Sequence, residues 1–155
     1  MRVIEGHFRG TRGKIAIVAS RFNQLVVDPL VAGAVDSLKR HGILEDQLTI
    51  VWVPGAYELA FVSKHLAQTK SYQGLIALGA VIRGATTHYD HVAGEAGAGI
   101  ARVATETGIP IAFGVLTTEN LEQALERAGS KVGNKGSEAA MALLELLDLL
   151  EQLNG

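Results

Sequence analysis

Four short stretches of the chain are nearly continuous in apolar residues: 15–19, 48–53, 75–80 and 111–116. Each has the length of a strand. The lack of polar alternation marks strands buried on both faces, as in a parallel sheet. A weaker run, 3–8, is set apart by Gly10 and Gly13. Between the runs the periodicity becomes helical. Asp28 as a cap, with Pro29 at the first helical position, predicts a helix over 29–41 that stops at Gly42. Further helices are predicted over 56–68, over 88–107 ahead of Gly108-Ile109-Pro110, over 119–128 behind Thr117-Thr118, and over 137–153. Alternating strands and helices imply a three-layer α/β sandwich, with right-handed crossovers placing helices on both faces of a parallel sheet. No repeat or linker divides the chain, so one domain is expected over 1–155, with 1–13 as an N-terminal strand or arm.

Composition narrows the partners. Hydrophobic residues make up 48% of the chain and charged residues 19%, the latter below the roughly 25% of an average soluble domain. The excess apolar surface predicts a homo-oligomer. Net charge is −2, with no long basic run, which argues against nucleic acid as a partner. Cysteine is absent, so disulfides and thiolate metal sites are excluded. No stretch approaches the ~18 apolar residues of a membrane span, and the first residues lack the apolar core of a signal peptide. The expected location is cytoplasmic. The helix from His88 carries Gly94, Gly97 and Gly99 among alanines. Each interior glycine costs about 1 kcal/mol relative to alanine, so close backbone packing, expected at a subunit contact, must offset it. The leucines from Leu143 to Leu150 cover more than one stripe of the last helix, which asks for burial on two sides.

In parallel α/β sheets ligands sit beyond the carboxyl ends of the strands. That nominates the loops Ser20-Arg21-Phe22-Asn23, Pro54-Gly55-Ala56-Tyr57-Glu58 and 81–88, and the run containing Phe113. In Arg83-Gly84-Ala85-Thr86-Thr87-His88, small and hydroxyl residues at a helix start suit a phosphate cradle, and His88 suits proton transfer near neutral pH. The same residues also suit simple capping by Thr87, with Asp90 favouring the positive helix end. His88, His91 and Glu95 share a helical face, compatible with a metal or with a subunit interface; no established metal motif matches, and no metal is expected. Glu58 suits either sugar hydroxyls or the helix dipole. Phe22 and Phe113 suit stacking on a heterocycle or core packing. Arg127, Lys131 and Lys135 surround a glycine-rich turn that suits an anion, while Arg127 also suits a helix C-terminus.

Taken together, Arg21-Phe22-Asn23, the stretch from Val53 to Glu58, that from Leu78 to Asp90, that from Phe113 to Asn120, and Gly133-Asn134-Lys135-Gly136 resemble the lumazine synthase family over nearly the whole chain. The resemblance implies a four-stranded parallel, flavodoxin-like sheet, with the N-terminal strand added to a neighbouring subunit. It implies condensation of 5-amino-6-(D-ribitylamino)uracil with 3,4-dihydroxy-2-butanone 4-phosphate, releasing phosphate and water, without cofactor. By resemblance Phe22 stacks on the pyrimidine, and Ala56, Tyr57 and Glu58 line the ribityl side. Ala80, Val81 and Ile82 offer backbone groups to the uracil edge. Ala85, Thr86 and Thr87 hold the phosphate with Arg127, and His88 moves the proton. Phe113, Arg127 and Lys135 would come from a neighbouring subunit. Tyr57 departs from the phenylalanine associated with its position. The family forms pentamers, some of which build shells of sixty. The short turn 129–135 lacks the insertion associated with free pentamers or decamers, so the shell is expected. Association with riboflavin synthase is a further partner the resemblance raises.

Two other readings compete. A flavodoxin-like flavin-binding module without catalysis would want a hydroxyl-rich loop after the first strand; Ser20-Arg21-Phe22-Asn23-Gln24 holds one hydroxyl. A signalling receiver domain would want acidic residues after the first strand and an aspartate ending the third; Ala19-Ser20 and Gly79-Ala80 supply neither.

Overall fold

The computed structural model describes residues 1–84 and 88–155, His88 by its backbone only. The strands are β1 (Ile15–Ser20), β2 (Leu48–Val53), β3 (Gly74–Ile82) and β4 (Ile111–Thr118). The helices are α1 (Gln24–Arg40), α2 (Leu59–Gln68), α3 (His88–Thr107), α4 (Leu121–Arg127) and α5 (Lys135–Asn154). Single 3-10 turns at Glu45–Gln47 and Ala56–Glu58 precede β2 and α2. All strand pairs are parallel, in the order β2-β1-β3-β4. This is the expected flavodoxin-like three-layer α/β sandwich.

Successive side chains of a strand point to opposite faces. Ile15, Ile17 and Ala19 of β1, with Ile76 and Leu78 of β3, meet Leu30 of α1 and Leu143 of α5 in one core. Val18, Ala77 and Val115 meet Leu59 of α2 and Ile100 of α3 in the other. Every residue of β1 is buried, which explains its unbroken apolar run. β2 lies at an edge and is largely half-buried, with Ile50 exposed.

Four helix starts differ from the sequence expectation. α2 begins at Leu59 rather than at residue 56, because Ala56–Glu58 form a 3-10 turn. α1 begins at Gln24 rather than at residue 29, with Pro29 inside it. Burial decides this: Val26 and Val27 are fully enclosed, and their packing offsets the hydrogen bond that proline cannot donate. α4 begins at Leu121 because Thr117 and Thr118 stay in β4 and Asn120 is the cap, its side chain accepting from the Gln123 amide at 2.8 Å. α5 begins at Lys135, capped by Asn134, rather than at Ser137. The glycines of α3 divide in purpose. An added Cβ at Gly99 would stand 2.8 Å from that of Ala60, so Gly99 lets α2 approach within the chain, whereas at Gly94 nothing among the described residues lies within 4 Å.

Residues 1–10 enter no strand of this sheet. They run along α5 and are pinned to it by Asp148, a buried carboxylate that sequence periodicity did not single out. Asp148 accepts hydrogen bonds from Arg9 Nε at 2.6 Å, the His7 amide at 2.8 Å and Gln152 Nε2 at 2.8 Å. Gln152 also donates to the Glu5 carbonyl at 2.7 Å. Val3 and Phe8 remain exposed. Hydrogen bonds from Arg9, His7 and Gln152 hold the Asp148 carboxyl down from 3.8 to about 2.

A group whose pKa falls on folding contributes stability above its unfolded pKa, and loses it as pH falls through the folded one. The attachment of the arm should therefore be complete above about pH 4, weaken below that, and be lost near pH 2. Asp148→Ala should release the arm at neutral pH while the sheet stays intact. Hydrogen exchange at the His7 amide reads this; unchanged protection in the variant would rule out the carboxylate as the anchor.

Candidate active site

The strand order reverses between β1 and β3, and the two strands end at different heights. β1 pairs with β3 only as far as Ala19 and Leu78. β3 continues, paired with β4, to Ile82 and Thr118. From Gly79 onward, the side of β3 facing β1 therefore has no strand partner, and its peptide groups front a crevice at the switch point.

The loop after β1 folds away to open that crevice. The amides of Arg21 and Phe22 donate to the carbonyls of Val53 and Pro54 at 2.7 and 3.0 Å, tying the loop to the end of β2. Asn23 then takes a left-handed conformation (φ 64°, ψ 45°), which asparagine tolerates better than most residues. Its carbonyl accepts from the Val26 and Val27 amides. Its side chain leaves the helix end uncapped and donates instead to the Ala80 carbonyl at 3.3 Å. Asn23 thus bridges the gap between the two strands.

The resulting cleft has a volume of about 340 Å³ and is bounded by Phe22, Asn23, Gly55, Ala56, Tyr57, Ala80, Val81, Ile82, Gly84, Tyr89 and Val92. Six residues expected from the sequence meet here: Phe22, Ala56, Tyr57, Ala80, Val81 and Ile82. Phe22 is 72% exposed and Tyr57 54%, so two aromatic residues stand open at the rim. Tyr57 lies 6.1 Å from the His91 ring at an interplanar angle of 25°, so His91 has an aromatic neighbour. Glu58 is not on the cleft wall, but its Oε2 is buried with no hydrogen-bond partner among the described residues, and an added Cβ on Gly55 would stand 3.4 Å from it. A buried, unpaired acceptor is costly and calls for a donor. Ser20 Oγ, at the end of β1, is likewise buried and unpartnered.

Ala85, Thr86 and Thr87 lie outside the described residues, as does the side chain of His88. The ends of that segment are described. Arg83 donates its amide to the Thr118 carbonyl at 2.8 Å. Its guanidinium pairs with Glu119 at 3.0 Å and Asp90 at 3.5 Å and lies 4.5 Å from the centre of the Tyr89 ring. Arg83 therefore braces both ends of the loop and spends its charge on carboxylates. Arg83, Tyr89 and Asn23 stand within the sequence motifs, but their spacing assigns them no role. Their signal was weak because it is a matter of partners, which spacing does not disclose.

Three other expected residues lie elsewhere. Phe113 pairs in register with Ala77, four positions before Val81, which at about 3.3 Å per residue sets it some 13 Å back along the sheet. It is 40% exposed beside Gly97 of α3. Arg127 and Lys135 meet in a separate cleft of about 370 Å³ at the β4 edge, with Val115, Leu116, Thr117, Val132 and Glu138. Among the described residues neither cation forms an ion pair. The chain thus carries two partial constellations, the aromatic crevice at the switch point and the cationic cleft at the β4 edge. A larger cleft of about 600 Å³ lies between the arm and α5, near Gly13 and Gln73. It sits at the amino ends of the strands, the end of a parallel sheet that ligands do not ordinarily use. Among the described residues no three His, Asp or Glu side chains converge to hold a metal.

The family model for 6,7-dimethyl-8-ribityllumazine synthase matches residues 12–151. Two proteins of Nitratidesulfovibrio vulgaris named 6,7-dimethyl-8-ribityllumazine synthase are similar over almost their full length. The one from strain DSM 19637 / Miyazaki F is 54% identical and that from strain DP4 55% identical, each over 99% of this chain and 98% of the relative.

The left-handed turn at Asn23 generates a stability order. Asn23→Gly removes the bridge to Ala80 but accepts the positive φ, while Asn23→Ala removes the bridge and adds strain of about 1 kcal/mol. Urea titration should rank the parent above the glycine variant and the glycine variant above alanine; an alanine variant as stable as glycine would remove the strain from the account.

Proposed function

The chain belongs to the 6,7-dimethyl-8-ribityllumazine synthase family, and we propose that it condenses 5-amino-6-(D-ribitylamino)uracil with 3,4-dihydroxy-2-butanone 4-phosphate, the penultimate step of riboflavin biosynthesis. The observation that carries the reading is the crevice itself. An exposed aromatic ring, Phe22, stands across from a strand edge, Ala80 to Ile82, whose peptide groups lack a strand partner on that side. A flat ring with hydrogen-bonding edges fits between such surfaces, and about 340 Å³ lies within the usual range for small-molecule sites.

In this reading Phe22 stacks on the pyrimidine, and the backbone of Ala80, Val81 and Ile82 pairs with its polar edge. Ala56 and Tyr57 line the ribityl chain, and a ribityl hydroxyl donates to the orphaned Oε2 of Glu58. Ala85, Thr86 and Thr87, at the start of α3, hold the phosphate through helix-end amides and hydroxyls. Arg127 and Lys135 of a second subunit complete that grip, and its Phe113 covers the heterocycle. The separation of the two clefts on one chain supports a site shared between copies.

The amine of the pyrimidine attacks the ketone carbon, and loss of water leaves an imine. Phosphate is then eliminated, the resulting enol of the four-carbon chain tautomerises to a ketone, and the second nitrogen attacks that carbonyl and closes the ring with loss of a second water. His88 carries protons between these steps. Much of the rate comes from holding two substrates in register, and the phosphate grip stabilises the departing anion.

The assembly belongs to the same proposal. We place five chains in a ring and twelve rings in a shell of sixty, in the cytoplasm, with riboflavin synthase as a candidate associate. Residues 3–8 would add to the open edge of a neighbour's β2. The exposed Val3, Phe8 and Ile50 and the edge position of β2 support that pairing, since an unpaired strand edge invites another strand.

Mixing the protein with both substrates should yield the lumazine product, followed by absorbance; no product above the spontaneous rate would overturn the reading. His88→Ala should lower turnover by about 10²-fold without changing assembly, and unchanged turnover would remove His88 from proton transfer. Sedimentation velocity should show a particle of sixty chains, against which a single pentamer-sized species would count decisively.

A further inference from the structure

The two cations of the β4-edge cleft stand at opposite ends of one connection. Arg127 ends α4 and Lys135 begins α5. Between them the chain turns through Gly129 (φ 122°) and Gly133 (φ 64°), a region that side chains other than glycine rarely enter. A turn built on two such glycines has little intrinsic stiffness, yet the cations must keep a fixed separation to grip one anion.

One side chain closes the turn. Asn134 Oδ1 accepts from the Ser137 amide at 3.0 Å, capping α5. Its Nδ2 donates to the Ala128 carbonyl at 3.0 Å, one residue beyond Arg127, and to the Pro29 carbonyl of α1 at 3.0 Å. Both amide hydrogens are thus committed. A backbone bridge between Ala128 and Asn134 runs alongside. The surroundings leave no slack. An added Cβ at Gly33 would stand 2.5 Å from Oδ1 and 2.6 Å from Nδ2, and one at Gly129 3.2 Å from Nδ2. At Gly136 it would strike the Leu30 carbonyl, so α5 lies against α1 at this point.

We propose that Asn134 is a positioning residue for the reaction: through its bonds to Ala128, Ser137 and Pro29 it sets the separation of Arg127 and Lys135 and thereby the grip on the phosphorylated substrate. This rests on the reading of those two cations as phosphate ligands. A plain cap would need only Oδ1. The two donated bonds reach a loop carbonyl and a different helix, and they tie the turn to α1, which is anchored in the core by Leu30 and Ala34.

The test separates capping from positioning in the assembled enzyme. Asn134→Ser keeps a cap oxygen and loses both donated bonds. Gly33→Ala, favoured on helix propensity, pushes on the Asn134 amide from α1 and leaves the residues of the turn unchanged. In both, the KM for 3,4-dihydroxy-2-butanone 4-phosphate should rise about tenfold, with the KM for the pyrimidine unchanged, and inhibition by inorganic phosphate should weaken in parallel. Arg127→Ala is the control and should raise the same KM. A normal KM in both variants beside a raised one in Arg127→Ala would overturn the positioning role alone. Equal rises in the two substrates' KM values, tracking a lowered melting temperature, would also overturn it in favour of a purely structural cap. An unchanged KM in Arg127→Ala would instead sink the phosphate reading on which the proposal stands.

Discussion

A parallel sheet with apolar side chains on both faces must be covered on both faces, and most of this molecule follows from that constraint. β1 and β3 sit in the middle and are buried nearly throughout. The helices that cover them close off lateral approach, so a ligand reaches the sheet only at its ends. At the carboxyl end one pair of neighbouring strands diverges, because the chain proceeds from β1 towards β2 on one side and from β3 towards β4 on the other. The greater length of β3 turns that divergence into a binding edge. Four residues of β3, from Gly79 to Ile82, run on past the last pairing with β1, and the peptide groups they leave there face the crevice.

What one chain leaves open is as informative as what it builds. Phe22 and Tyr57 are exposed, and Glu58 buries a carboxylate oxygen with no donor among the described residues. Each is unfavourable in isolation: exposed rings forgo burial, and a buried acceptor forgoes hydration. All three lie in the two loops that follow β1 and β2. Arg127 and Lys135 form a second such cluster at the β4 edge, two cations without carboxylate partners among the described residues. In the proposed reaction a heterocycle with a polyhydroxyl chain would relieve the first set, and a phosphate the second.

Short polar side chains fix the loops that carry these groups and the segments around them. Asn23 ties the β1 loop to β3, Asn120 caps α4, Asn134 closes the turn between the cations, and Asp148 fastens the arm. A short side chain suits this work because few rotatable bonds are lost on ordering it. Its hydrogen bonds also have direction, which dispersion contacts lack, and direction is what places a backbone carbonyl or a cation.

The four strands and the alternation of layers were legible in the chain because burial on both faces leaves a continuous apolar run, a one-dimensional signal. The loops after β1, β2 and β3 were legible as candidate sites for a related reason: their glycines, hydroxyls and aromatics interrupt those runs where a parallel sheet binds ligands. Sequence also determined that Phe22, Ala56, Tyr57 and Ala80 to Ile82 stand at strand ends. Tertiary structure decided the rest. The start of α1 moved past Pro29 because the burial of Val26 and Val27 outweighed a local rule. The 141-residue separation of His7 from Asp148 hid the anchor of the arm, since no local pattern distinguishes a carboxylate that will be buried from one that will be solvated. The division into two clefts came from the order of the strands in space. Periodicity records which face a residue shows, whereas strand order depends on pairing between distant segments, and that is a property of the folded chain alone.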